Sequence, residues 1–117
     1  MAAFKRNHKI DQGASYDAVD TWKSGTPPTP VNLMGATARA QFRESIDSPD
    51  VLLELTTENG RIELGGILGT VAIHLTDEDT QVDWTDAVYD LEIIFLTGQV
   101  RRLMSGTVTV SPEVTRA

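Results

Sequence analysis

The chain has 117 residues, with 17 acidic against 10 basic side chains, a formal net charge of −7 and no cysteine. Disulfides, thiol catalysis and cysteine-built zinc sites are therefore excluded, and a nucleic-acid footprint, which needs clustered positive charge, is disfavoured. An apolar fraction of 40% with 23% charged residues fits one globular domain. No run approaches the roughly 18 apolar residues of a membrane span, and the charged N-terminus lacks the apolar stretch of a secretory signal, so cytoplasmic synthesis is expected.

Residues 1–9 read as a flexible N-terminal arm. Residues 1–6 show no periodicity, and a short strand begins near Asn7. Lys5, Arg6 and Lys9 make this arm basic against an acidic body, which marks them as candidate partner-docking residues; a second basic pair is Arg101 and Arg102. A single β-sandwich domain is expected over 10–114, with 115–117 as a tail.

Gly13 marks a turn before a half-buried strand over 15–23. Residues 24–30, Ser-Gly-Thr-Pro-Pro-Thr-Pro, form an exposed loop, because proline removes a ladder donor and fixes φ. Ala36, Ala38, Ala40 and Phe42 then alternate with Thr37, Arg39, Gln41 and Arg43, the clearest period-two pattern in the chain. Val51, Leu53 and Leu55 face inward on the next strand. Glu58-Asn59-Gly60 signals a type I′ hairpin, with Ile62 and Leu64 returning on the partner strand.

Gly65, Gly66 and Gly69 punctuate a turn, after which Val71, Ile73 and Leu75 alternate with Ala72 and His74. The acidic stretch 77–84 suits one helical turn capped by Thr76 or Asp77. Residues 86–95 have the pattern of a central strand, with Tyr89, Leu91, Ile93 and Phe95 on one face and Asp90 and Glu92 on the other. Asp86, three residues before Tyr89, has the spacing of a tyrosine corner, in which the phenol hydroxyl ties an incoming loop to the strand. The simpler alternative is an amphipathic strand with a buried tyrosine. In the last strand Leu103 is out of phase, and a bulge near Ser105-Gly106 would restore the alternation. Seven to nine short antiparallel strands specify an all-β fold. The corner spacing, which is that of immunoglobulin-like sandwiches, and the proline loop favour a two-sheet Greek-key β-sandwich over a barrel.

Little in the sequence points to chemistry. His8 and His74, the two histidines, read as surface residues rather than ligands or bases. Asp77, Glu78, Asp79 and Asp83 lack the register of a calcium loop, residues 65–69 lack the lysine of a phosphate loop, and no serine sits in a nucleophile elbow. Trp22 and Trp84 read as core or rim. The expectation is a non-enzymatic protein with no catalytic residue, cofactor or metal.

Three blocks read together carry a family resemblance. The first is Gln12-Gly13 with Thr21-Trp22-Lys23, and the second Val31-Asn32-Leu33-Met34-Gly35-Ala36-Thr37-Ala38-Arg39. The third is Val88-Tyr89-Asp90-Leu91-Glu92 followed by Gly98-Gln99-Val100-Arg101-Arg102-Leu103 and Gly106-Thr107-Val108-Thr109-Val110. Over roughly residues 8–114 the chain resembles the small phage and prophage virion proteins related to the N-terminal domain of the baseplate upper protein of tailed phages. The resemblance implies an immunoglobulin-like sandwich that attaches appendages such as fibres to the tail, baseplate or neck. It further implies other tail or baseplate proteins as partners, a multicopy homo-oligomeric or ring assembly, and a place in the virion tail after synthesis in the bacterial host. Longer family members continue into a stalk or receptor-binding module, so the expected role is the attachment piece alone, without nucleic-acid or membrane partners. The rival expectation is a carbohydrate-binding module contacting the host surface, which needs two or more aromatics exposed on one face.

Overall fold

Alternation of apolar and polar residues becomes paired strand through about half the chain. The structure, a computed structural model, describes residues 3–115; the outer ends of the expected arm and tail, 1–2 and 116–117, lie outside the described residues. The strands are β1 (Phe4–Lys5), β2 (His8–Asp11), β3 (Tyr16–Thr21), β4 (Lys23–Ser24), β5 (Thr29–Pro30), β6 (Thr37–Arg43), β7 (Leu53–Thr56), β8 (Ile62–Leu64), β9 (Thr70–Leu75), β10 (Asp86–Ile94) and β11 (Val100–Ser111). One 3-10 turn, Gly66–Leu68, interrupts them, and no α-helix occurs among the described residues.

The larger sheet runs β1, β11, β10, β6, β7, with β2 also paired to β11; the smaller runs β3, β9, β8; β4 and β5 form a two-stranded ribbon. From the larger sheet Ala38, Ala40, Phe42, Leu55, Tyr89, Leu91, Ile93, Met104 and Val108 join one core with Ile62, Val71, Ile73 and Leu75 of the smaller. The result is an all-β, layered fold consistent with a β-sandwich. Eleven strands, three of them only two residues long, replace the expected seven to nine. The pairing is also not wholly antiparallel, since β1 and β2 run parallel to β11.

Three local expectations change. The Asn59-Gly60 turn closes no hairpin but carries the chain from β7 in one sheet to β8 in the other. A type I′ turn needs positive φ at both central residues. Among the described residues only glycines have it, Gly60 at 81° included. Asn59 acts through its side chain instead: its Oδ1 accepts from the amides of Thr56 and Arg61, each at 3.0 Å, and its Nδ2 donates to the Glu54 carbonyl at 3.0 Å.

The acidic stretch keeps the expected single turn capped by Thr76 but extends into no helix. Asp79 Oδ2 accepts the Thr76 amide at 3.0 Å, Thr76 Oγ1 accepts the Asp79 amide at 3.1 Å, and the Thr80 amide reaches the Thr76 carbonyl at 3.2 Å. The bulge, in turn, lies at Leu103. Leu91 pairs with Met104 but Glu92 with Arg102, which leaves Leu103 over. Leu103 and Met104 are both buried, and two consecutive inward side chains require the strand to slip by one residue.

Candidate functional site

The basic N-terminal segment is sheet, not a free arm. β1 begins with Phe4 opposite Met104, and β2 runs from His8 opposite Val108 to Asp11 opposite Ser111. Between them the Arg6 amide donates to the Ser105 carbonyl at 2.9 Å and Asn7 Oδ1 accepts the Thr107 amide at 3.0 Å. The Tyr89 hydroxyl donates to the Arg6 carbonyl at 2.5 Å. Tyr89 is buried as expected, but it anchors this distant segment rather than the turn leading into its own strand. Asp86 takes no part in that anchor; it is exposed and accepts from the Thr85 hydroxyl at 3.1 Å. The corner reading is therefore corrected to a tyrosine that pins the N-terminal strand. Replacing it, Tyr89→Phe, is expected to lower unfolding free energy by about 0.5–1.5 kcal/mol in urea titrations, the net worth of one such bond.

Arg6 reaches across to the smaller sheet, its Nε 3.2 Å from Asp20 Oδ2 on β3. Of the three expected docking residues, Arg6 is thus engaged internally, while Lys5 and Lys9 stay exposed. Deleting residues 1–9 would strip β11 of a partner and remove His8 from the interior, so the truncated domain is not expected to keep its full stability.

His8 is the clearest departure from the sequence reading. It is 3% exposed, with Nδ1 2.5 Å from the Tyr16 hydroxyl, edge-on to the Tyr16 ring and tilted against Tyr89. Its Nε2 is buried without a hydrogen-bond partner. Burial pushes the imidazole pKa down to about 4, and the positive charge of Arg6 adds to the effect. Burial likewise raises the pKa of Tyr16 and Tyr89. At neutral pH this cluster is an uncharged ring between two un-ionised phenols, which suits a structural joint rather than a proton-transfer site. His74 does lie on an outer face, Nδ1 2.6 Å from Asp17 Oδ1 and Nε2 3.5 Å from Glu63 Oε2. Among the described residues no set of three His, Asp or Glu side chains is arranged to hold a metal ion.

Two surfaces have features suited to recognition. The first is a depression of about 560 Å³ on the outer face of the larger sheet. Short residues at Val88, Ser105, Gly106 and Thr107 lower its floor between Gln41 and Arg43 on β6 and Lys5 on β1, with Asp90 and Arg102 further along. Arg43 donates to the Ser48 carbonyl at 2.8 Å and to Gln41 Oε1 at 2.7 Å, both neutral acceptors. Arg102 lies 3.4 Å from Asp90 with both side chains well exposed. The groove thus gathers three cations and one acid. Lys5 and Arg102 belong to the basic clusters seen in the sequence. Arg43 was missed, although its parity with Gln41 put it on the outer face.

The second surface is an apolar end. Met34, Ile67, Leu68 and Leu96 are 63–82% exposed. The Leu33 amide donates to the Gly66 carbonyl at 2.9 Å, the Met34 thioether lies against Gly66, and the Leu96 side chain lies against Gly35. Aromatic rings, by contrast, turn inward: Trp22 is buried against Phe95, and Trp84 packs edge-on to Phe42. Of the seven aromatics only Phe4 is exposed. No protein-family model and no curated protein matches this chain.

Proposed function

We propose that this chain is a structural component of a phage virion, an immunoglobulin-like attachment module of the tail, baseplate or neck that seats an appendage such as a fibre. The observation that carries the reading is the apolar end. Four large aliphatic or thioether side chains brought together from three loops form the kind of surface that soluble proteins reserve for partners. The resemblance in residues 8–114 names the setting. A sugar platform fits less well, because the rings it would need are packed inside.

Mass spectrometry of particles produced from the genome that encodes this chain tests the proposal. The protein is expected at a fixed ratio to the tail proteins. A Met34→Asp, Leu96→Asp variant is expected to keep its far-ultraviolet spectrum and to vanish from particles, since both changes put charge on exposed apolar positions. Absence of the native protein from particles, or normal incorporation of the variant, would overturn the assignment.

A further inference from the structure

We propose that the groove on the outer face of the larger sheet takes the acidic turn of a second copy of this chain, in a head-to-tail contact that can repeat. The inference deepens the multicopy part of the attachment reading, on which it rests, by naming the two surfaces that meet. On one side, Lys5, Arg43 and Arg102 surround a floor of short side chains, and Asp90 is the single acid among them. Glu44 and Asp47, which lie on either side of the lining residue Ile46 in sequence, do not line the depression. Lys5 and Arg43 have no carboxylate partner among the described residues, and the neutral acceptors on Arg43 hold its guanidinium in place without cancelling its charge.

The complementary surface is the turn after β9. Asp77, Glu78 and Asp83 are exposed and have no ion-pair partner among the described residues. Their frame is fixed from beneath. Asp79 forms an ion pair with Arg61 at 2.8 Å, which holds its carboxyl below the usual range. The buried Thr80 hydroxyl donates to the carbonyls of Ala14, at 2.9 Å, and Asp77, at 3.1 Å. Carboxylates presented from a braced turn lose little conformational freedom on docking. At about 560 Å³ the depression falls in the volume range of small-ligand sites, and it is open to solvent on one side.

Placement makes the contact heterologous. Asp77 borders a depression that also includes Asp17 and His74, on the outer face of the smaller sheet, whereas the groove is on the outer face of the larger one. A patch on one face that fits a different patch on the opposite face builds a ring if the rotation closes and a filament if it does not. Copies of net charge −7 repel at long range, so the cationic groove is where another copy's acids are drawn in.

Sedimentation velocity of the full chain tests this, with a groove variant (Arg43→Glu, Arg102→Glu) and a turn variant (Asp77→Lys, Glu78→Lys). The native chain is expected to associate with rising concentration in about 50 mM salt and to weaken at least tenfold in about 500 mM, where screening shortens to a few ångströms. Each variant alone is expected to stay monomeric, because its groove and its turn then carry the same sign. The equimolar mixture is expected to associate, because each groove meets a turn of opposite sign. Three results would overturn the proposal: a native chain monomeric throughout, association that survives both reversals, or a mixture that does not assemble. A monomeric native chain whose groove binds a poly-glutamate peptide would likewise overturn it and assign the groove to a different acidic partner. Met34→Asp and Leu96→Asp leave groove and turn untouched, so failure here and failure of the attachment reading are separately visible.

Discussion

Lowering the pH from 6.5 to 4 is expected to remove about 3 kcal/mol of folding stability through one side chain, His8. Above pH 6.5 the imidazole is neutral in both the folded and the unfolded chain and contributes no slope. Below it the unfolded chain takes up a proton that the buried ring refuses until about pH 4. The unfolded state then binds more protons than the folded one, so stability falls as the pH falls and this contribution levels off beneath the folded value. The span from 6.5 to about 4, at roughly 1.4 kcal/mol per pH unit, sets the size. Desolvation is the main cause, since the ring is nearly inaccessible; Arg6 adds to it and Asp20 opposes it. A protonated ring would also carry an Nε2–H that no acceptor meets. Asp79, held low by Arg61, loses most of its own contribution as the pH falls past the ordinary aspartate value of 3.8, beneath this window. Urea titrations from pH 8 to pH 4 on the native chain and on His8→Leu check the assignment. The variant is expected to start less stable, having lost the contact with Tyr16, and to show no fall of this size between pH 6.5 and 4. Equal falls in the two proteins would place the responsible proton elsewhere.

How legible these features were depended on whether the signal was local. The alternation of Ala38, Ala40 and Phe42 with Arg39 and Gln41, and of Tyr89, Leu91 and Ile93 with Asp90 and Glu92, survives intact as buried against less buried positions. A strand's two faces are written in consecutive residues. Ladder partners are not. Asn59-Gly60 is a good hairpin signal, yet the chain leaves it for the other sheet, because Leu55 and Ile62 enter the shared core from opposite layers. The N-terminal strand offered only His8 and Ile10 against Lys9 and Asp11, too short an alternation to stand out among basic residues. Its partner β11 lies about a hundred residues away. The groove was harder still, since Lys5, Arg43 and Arg102 stand on three different strands. Their meeting depends on the order β1, β11, β10, β6, which no local pattern encodes.

Gly106→Ala is expected to destabilise the fold by about 2–3 kcal/mol, the cost of overpacking a site whose neighbours cannot move aside freely. A Cβ at this position would lie 2.5 Å from the Arg6 carbonyl oxygen, 2.6 Å from Asn7 Oδ1 and 2.9 Å from the Arg6 carbonyl carbon. Two of those atoms are backbone, and each oxygen is engaged: the Arg6 carbonyl accepts the Tyr89 hydroxyl, and Asn7 Oδ1 accepts the Thr107 amide. Moving the N-terminal segment away would therefore break both bonds. The glycine is required by close approach, since its φ is not in the left-handed region, and the bulge expected there lies instead at Leu103. Gly98→Ala makes the contrasting control. Nothing lies within 4 Å of a Cβ at Gly98, but its φ of 91° is left-handed, so a backbone cost of roughly 1–2 kcal/mol is expected there. A double-mutant cycle isolates the mechanism. In a chain lacking residues 1–7, which remove Arg6 and Asn7, Gly106→Ala is expected to cost less than about 0.5 kcal/mol, while Gly98→Ala costs the same in both backgrounds. If Gly106→Ala costs as much without the segment as with it, the glycine answers to the β11 strand itself and not to the chain that crosses it.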